Sequence, residues 1–93
     1  MPKPLIDYVI TEHAAFEIGR RGLTEELVRR VLAAPEQRYE AQPGREVFQI
    51  RTSMGDPPKK TYVVRVFVDV DRHPSEVVTA YRTSRIAKYW RQT

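Results

Sequence analysis

There is no cysteine among the 93 residues, which excludes disulfide staples, thiolate metal sites and a cysteine nucleophile. No apolar run is long enough to cross a bilayer, and the opening Met1-Pro2-Lys3-Pro4-Leu5 lacks the hydrophobic centre of a secretion signal. Both absences lead to the expectation of a cytoplasmic protein with no membrane partner. Glycine is scarce, at four residues, and none sits in a phosphate-cradling loop. No serine has convincing triad partners. Those enzyme classes drop out.

What is present suits one small folded domain spanning residues 1–93. The apolar fraction of 41% and the charged fraction of 30% lie within the globular range. The length is near the low end for a self-sufficient core, so a homodimer or another partner subunit is admissible. The formal charge is +4, and its placement is more telling than its size. From Arg82 to Thr93 every charged residue is basic, namely Arg82, Arg85, Lys88 and Arg91. Such a patch suits a polyanion or an acidic protein.

Along the chain, Tyr8-Val9-Ile10 reads as a short first strand. Thr11 is placed as a helix N-cap, with Glu12 complementing the helix dipole. Ala14, Ala15, Phe16 and Ile18 share the apolar arc of that helix, and Gly22 stops it. A second helix starts at Thr24, buries Leu27, Val28, Val31 and Leu32, and ends before Pro35. The period then changes to that of strands at Arg45–Thr52, Lys60–Asp71 and Glu76–Thr83. In the middle one, Tyr62, Val64, Val66, Val68 and Val70 face one way, while Val63, Arg65, Phe67 and Asp69 face the other. Apolar residues on both faces predict a central strand covered on each side, with the Tyr62–Val70 set beneath the helices. Short turns at Met54–Pro58 and Arg72–Ser75 predict antiparallel neighbours. Ser84 is expected to cap a last helix of about two turns, anchored by Tyr89 and Trp90.

The resulting order, β-α-α-β-β-β-α, resembles the RelE/ParE superfamily of bacterial toxins. Two stretches carry the resemblance further. His13-Ala14 followed by Arg21-Gly22-Leu23 is similar to the opening of an uncharacterised bacterial domain family related to the BrnT toxins. Val78-Thr79-Ala80-Tyr81-Arg82-Thr83-Ser84, with Lys88-Tyr89-Trp90 beyond it, is similar to its close. Together they span the chain from Ile10 to Trp90. The resemblance implies an α+β fold of two N-terminal helices on a three- to four-stranded antiparallel sheet with a short C-terminal helix. It implies a metal-independent endoribonuclease of a type II toxin-antitoxin system, needing no cofactor, whose partners are RNA (free or ribosome-bound) and a small acidic antitoxin. Members often carry an arginine in the first helix where this chain has Glu17.

Cleaving RNA by attack of its own 2′-hydroxyl needs a base for that proton, cations for the crowded phosphate, and an acid for the departing 5′-oxygen. Arg65, mid-strand among apolar neighbours, is the first candidate, because a charge there needs a partner; Asp69 or Gln49 would serve structurally. Arg82, at the end of the last strand, matches a phosphate-binding position that the resemblance implies, and the ribonuclease reading depends on its converging with Arg65 and the last helix on one open cleft for a nucleic-acid backbone. Lys88 lies on the basic arc of the last helix, and His13, with Glu17 one turn later, is a candidate for proton transfer. RNA contacts are expected from Arg85, Arg91, Tyr89, Arg51 and Gln49, with Tyr89 able to stack on a base. Tyr81 alternates away from Arg82 and reads as core. Asp69, Asp71 and His73 are the only metal-like trio, and strand ends running into polar turns often show this pattern, so no metal site is assigned. The general base is left open. Two further readings fit the same fold: a non-catalytic RNA- or protein-binding module, and a gyrase inhibitor of the ParE kind. Fold resemblance cannot separate them, because function resides in the site.

Overall fold

The computed structural model describes residues 2–92. Its elements are β1 (Tyr8–Ile10), α1 (Glu12–Arg20), α2 (Glu25–Ala33), β2 (Gln37–Gln42), β3 (Arg45–Met54), β4 (Lys60–Asp69), β5 (Ser75–Thr83) and α3 (Ile86–Tyr89). The five strands form one sheet in the order β1-β5-β4-β3-β2. β1 runs parallel to β5, and the other neighbours are antiparallel. The fold is therefore α+β with a five-stranded mixed sheet, where three or four antiparallel strands were expected.

The two helices begin where their caps dictate. Thr11 accepts from the Ala14 N–H and Thr24 from the Leu27 N–H, each satisfying an orphan donor of the first turn. Gly22, at φ +74°, reverses the chain between them. Ala14, Ile18, Val28, Val31 and Leu32 pack on Phe48, Ile50, Val64, Val66, Val68, Val77 and Ala80. The Tyr62–Val70 side of β4 thus lies under the helices, as expected. Phe16, expected on the inner arc of α1, is 67% exposed, since it lies about 200° around the wheel from the buried Ala14.

Three elements depart from the sequence reading. β2 is an added edge strand, whose Gln37–Gln42 stretch carries no apolar alternation. α3 is a single turn capped at Arg85, not two turns capped at Ser84. β5 is bulged: Val68 pairs with Val77, whereas Phe67 pairs with Thr79, leaving Val78 as the extra residue. This bulge places Ala80 and Arg82 on the helix-bearing face and Tyr81 on the opposite one. That second face is covered by the segment from α3 onward, and Val47 and Val63 are fully buried on it.

Candidate functional site

Cross-strand register sets out a transverse polar row on the face away from α1 and α2. Gln37 on β2 stands opposite Gln49 on β3, Gln49 opposite Arg65 on β4, and Arg65 opposite Tyr81 on β5. Directly opposed residues of antiparallel strands share a face, so four side chains from four strands line up beneath the C-terminal segment. Tyr39 belongs to the neighbouring row, opposite Val47.

Arg65 is the centre of this arrangement and is only 8% exposed. Its Nε donates to Gln49 Oε1 (2.8 Å), Nη1 to the Tyr81 hydroxyl (2.6 Å) and Nη2 to the Tyr39 hydroxyl (2.8 Å). Phe67, Tyr81 and Tyr89 surround the guanidinium, with ring centroids 5.2, 5.7 and 4.6 Å away. All three acceptors are neutral. Among the described residues no carboxylate forms an ion pair with Arg65; Asp69, its expected partner, is taken by Arg45 at 2.7 Å. A guanidinium carries five N–H donors, so two remain beyond these three bonds. The charge of Arg65 is thus held by neutral acceptors and by the faces of aromatic rings.

Tyr89 closes the site from α3. Its ring meets Tyr81 edge-on at 6.2 Å, and the Lys88 ammonium lies 5.2 Å from its centroid. The Tyr89 phenol is held below the ordinary tyrosine value chiefly by the neighbouring Lys88 ammonium, with smaller effects of Tyr81 and of the Arg65 charge, against an opposing effect of burial. A phenol whose ionised form is favoured by a neighbouring ammonium and guanidinium is a candidate for proton transfer.

Compared with family models, curated proteins and solved structures, the chain finds no match. What it does chemically must be argued from the site.

The structure brings together only some of the expected residues. Arg65, Lys88 and Tyr89 converge. Arg82 does not: it stands opposite Val64 on the helix-bearing face, exposed, with its guanidinium 4.9 Å from the Tyr62 ring centroid. The expected cleft between Arg65 and Arg82 is absent because the two occupy opposite faces of the sheet. His13 is exposed on α1, also on the helix side, and Glu17 is engaged by Arg20 at 2.9 Å and Arg21 at 3.3 Å. His13 is thus removed from the site. Gln49, expected as a surface RNA contact or as a structural partner of Arg65, is fully buried and takes the second role.

The exposed cations on the site's side are Arg51, 4.2 Å from the Trp90 ring centroid, Lys88, and Arg91, 3.6 Å from that of Tyr39. Arg85 is exposed at the start of α3. A cleft of about 310 Å³ flanks the site along the edge of β2, lined by Tyr39, Glu36, Arg91 and Gln92 among others. Among the described residues no group of three acids or histidines is placed to hold a metal ion, and no helix is long and apolar enough to cross a membrane.

Sequence reasoning assigned Tyr81 to the core and missed Tyr39 and Gln37. The role of Tyr81 follows from the bulge at Val78, which sets it opposite Arg65. For Tyr39 and Gln37 there was no signal, since β2 itself has no strand pattern.

Proposed function

We propose that this chain is a metal-independent endoribonuclease of the toxin kind, with its reaction centre at Arg65, Tyr81, Lys88 and Tyr89. The observation that carries the reading is the buried Arg65 guanidinium, without a carboxylate, facing a Tyr89 phenol whose ionisation Lys88 favours. In the reaction, Tyr89 as phenolate takes the proton of an RNA 2′-hydroxyl. The 2′-oxygen forms its bond to the adjacent phosphorus while the bond from phosphorus to the 5′-oxygen breaks. The free N–H groups of Arg65 stabilise the charge on the phosphoryl oxygens, and the Lys88 ammonium gives a proton to the departing 5′-oxygen. The products are a 2′,3′-cyclic phosphate and a 5′-hydroxyl. Each step is assigned to a side chain of this protein.

Two further points support the reading. The closing stretch that resembles the BrnT-related family contains Tyr81, Lys88 and Tyr89, although Arg82, the phosphate-binding position that the resemblance implies, stands on the other face. In the opening stretch, Arg21 donates to Thr79 Oγ1 and the Ala80 carbonyl, Gly22 makes the turn and Leu23 is buried; these hold α1 against β5. In this reading a small acidic antitoxin covers the exposed Arg51, Arg85, Lys88 and Arg91.

The test is incubation of the purified chain with a defined RNA, with and without a 2′-deoxy substitution at the cut position. Cleavage leaving a cyclic phosphate, blocked by the deoxy substitution and lost in Arg65→Ala, is the expected result. Binding of RNA with no cleavage by the native chain would instead favour the non-catalytic binding module. Two observations lean toward that second reading: the near-complete burial of Arg65, and the placement of Arg82 on the opposite face of the sheet; the exposed Arg51, Lys88 and Arg91 would then make all the RNA contacts.

A further inference from the structure

The transverse row continues past Arg65 as a chain of side-chain amides ending on the backbone of the C-terminal segment. Gln49 accepts from Arg65 Nε through Oε1, and its Nε2 donates to Gln37 Oε1 at 2.7 Å and to the Tyr89 carbonyl at 3.0 Å. Gln37 Oε1 also accepts from the Arg91 N–H at 3.1 Å, while Gln37 Nε2 donates to the Arg91 carbonyl at 2.6 Å. Gln37 therefore binds Arg91 as a neighbouring strand residue would, through one donor and one acceptor.

The direction of this chain is fixed by its ends. Arg65 can only donate, so Gln49 must turn its oxygen toward it and its nitrogen toward Tyr89 and Gln37. The carbonyls of Tyr89 and Arg91 can only accept, so neither amide can be flipped without leaving a donor facing a donor. Both protons of Gln49 Nε2 are used, and the residue is fully buried, where an unmade bond costs most. α3, a single turn without a side-chain cap, is too short to hold itself. These amides bind the backbone on either side of Trp90 and fix where Tyr89 stands.

We propose that Gln37 is a positioning residue that, through Gln49 and the Arg91 backbone, clamps the C-terminal segment onto the sheet and holds Tyr89 against Arg65 and Tyr81. The inference rests on the ribonuclease reading only for its effect on rate; the clamp itself is a statement about the fold. Gln37 touches no reacting atom. It acts by keeping the Tyr89 ring over the Arg65 guanidinium, whose charge favours the ionised phenol.

The experiment follows the Tyr89 ring by NMR in the full chain, labelled at tyrosine, as pH is raised, and measures RNA cleavage in parallel. Gln37→Met removes every amide bond at nearly constant volume. It is expected to raise the Tyr89 titration toward the ordinary tyrosine value, to lower cleavage roughly 100-fold through misplacement, and to lower Tm by roughly 5–15 °C while the chain still folds. Gln37→Glu keeps the acceptor and loses the donor to the Arg91 carbonyl, so a smaller change in the same direction is expected and the isosteric side chain guards against misfolding. Arg91→Ala keeps both backbone groups, so its Tyr89 titration should match the native one. The proposal is overturned if Gln37→Met leaves the Tyr89 titration in place, or if Arg91→Ala moves it as far. Tyr89 shifting as expected with no cleavage by any form would sustain the clamp and sink the ribonuclease reading. Cleavage with an unmoved Tyr89 would do the reverse.

Discussion

Arg65 on β4 stands directly across from Tyr81 on β5, with its Nη1 donating to the tyrosine hydroxyl at 2.6 Å. The residue next to Tyr81, Arg82, points to the other face, opposite Val64. One position along a strand thus separates a group inside the candidate site from one outside it.

The two arginines should therefore behave differently. Arg65→Lys leaves a charge but not the planar fork that reaches Gln49, Tyr81 and Tyr39 together. Cleavage should fall at least about 100-fold, in the range seen when one preorganised donor is removed. Arg82→Ala should stay within about 2-fold of the native rate, as expected for an exposed group remote from the chemistry. Single-turnover rates on one RNA substrate decide the matter, and an Arg82→Ala loss matching that of Arg65→Lys would refute the site as drawn.

The pH dependence of cleavage follows from the direction of the Tyr89 shift. A base must be deprotonated, so the rate should rise with pH through the Tyr89 ionisation, at a midpoint below the ordinary tyrosine value. Lys88 is the largest cause of that lowering, so Lys88→Ala should carry the rising limb to higher pH. Lys88 is also the assigned acid, which makes the position of the limb the informative readout. A limb that stays put in Lys88→Ala would show that Tyr89 is not the base.

Gly44 at the β2–β3 turn has φ +81°, and a Cβ built there would lie 2.6 Å from Asp71 Oδ2. Gly44→Ala combines left-handed backbone strain with displacement of Asp71 from the turn. It should destabilise the fold by about 1–2 kcal/mol and lower Tm by roughly 5–15 °C. Thermal unfolding measures this directly, and an unchanged Tm would mean that the turn relaxes freely.

Acid stability should report the Asp69–Arg45 pair. The Arg45 hydrogen bond, at 2.7 Å, holds the Asp69 carboxyl below its ordinary value, against desolvation that pushes the other way. A carboxyl depressed in the folded state contributes stability that is complete above its unfolded pKa, and that stability is lost as pH falls through the folded value. With Arg45 partly exposed, the pair is worth about 0.5–1 kcal/mol after screening. Arg45→Met should thus lower Tm slightly at pH 7 and leave the difference from the native chain near zero at pH 2. A Tm difference that persists unchanged at pH 2 would assign the effect to packing instead.

Sequence alone determined α1 and α2, because the capping threonines and the apolar spacing act within a few residues of one another. It determined β4 and the division of its side chains into two faces as well, since strict alternation from Tyr62 to Val70 needs no knowledge of the neighbouring strands; which face lies under the helices it left open, because both are apolar. Arg65 was legible for the same reason, as a charge placed where only a partner could hold it. Tertiary structure alone decided β2, whose Gln37–Gln42 stretch becomes a strand by pairing with β3, and decided that a bulge at Val78 turns Arg82 away and Tyr81 toward Arg65. It also decided that Gln37, Gln49, Arg65 and Tyr81 fall into one row, because register is set by contacts between residues distant in the chain, and local order carries no record of which of them will stand opposite.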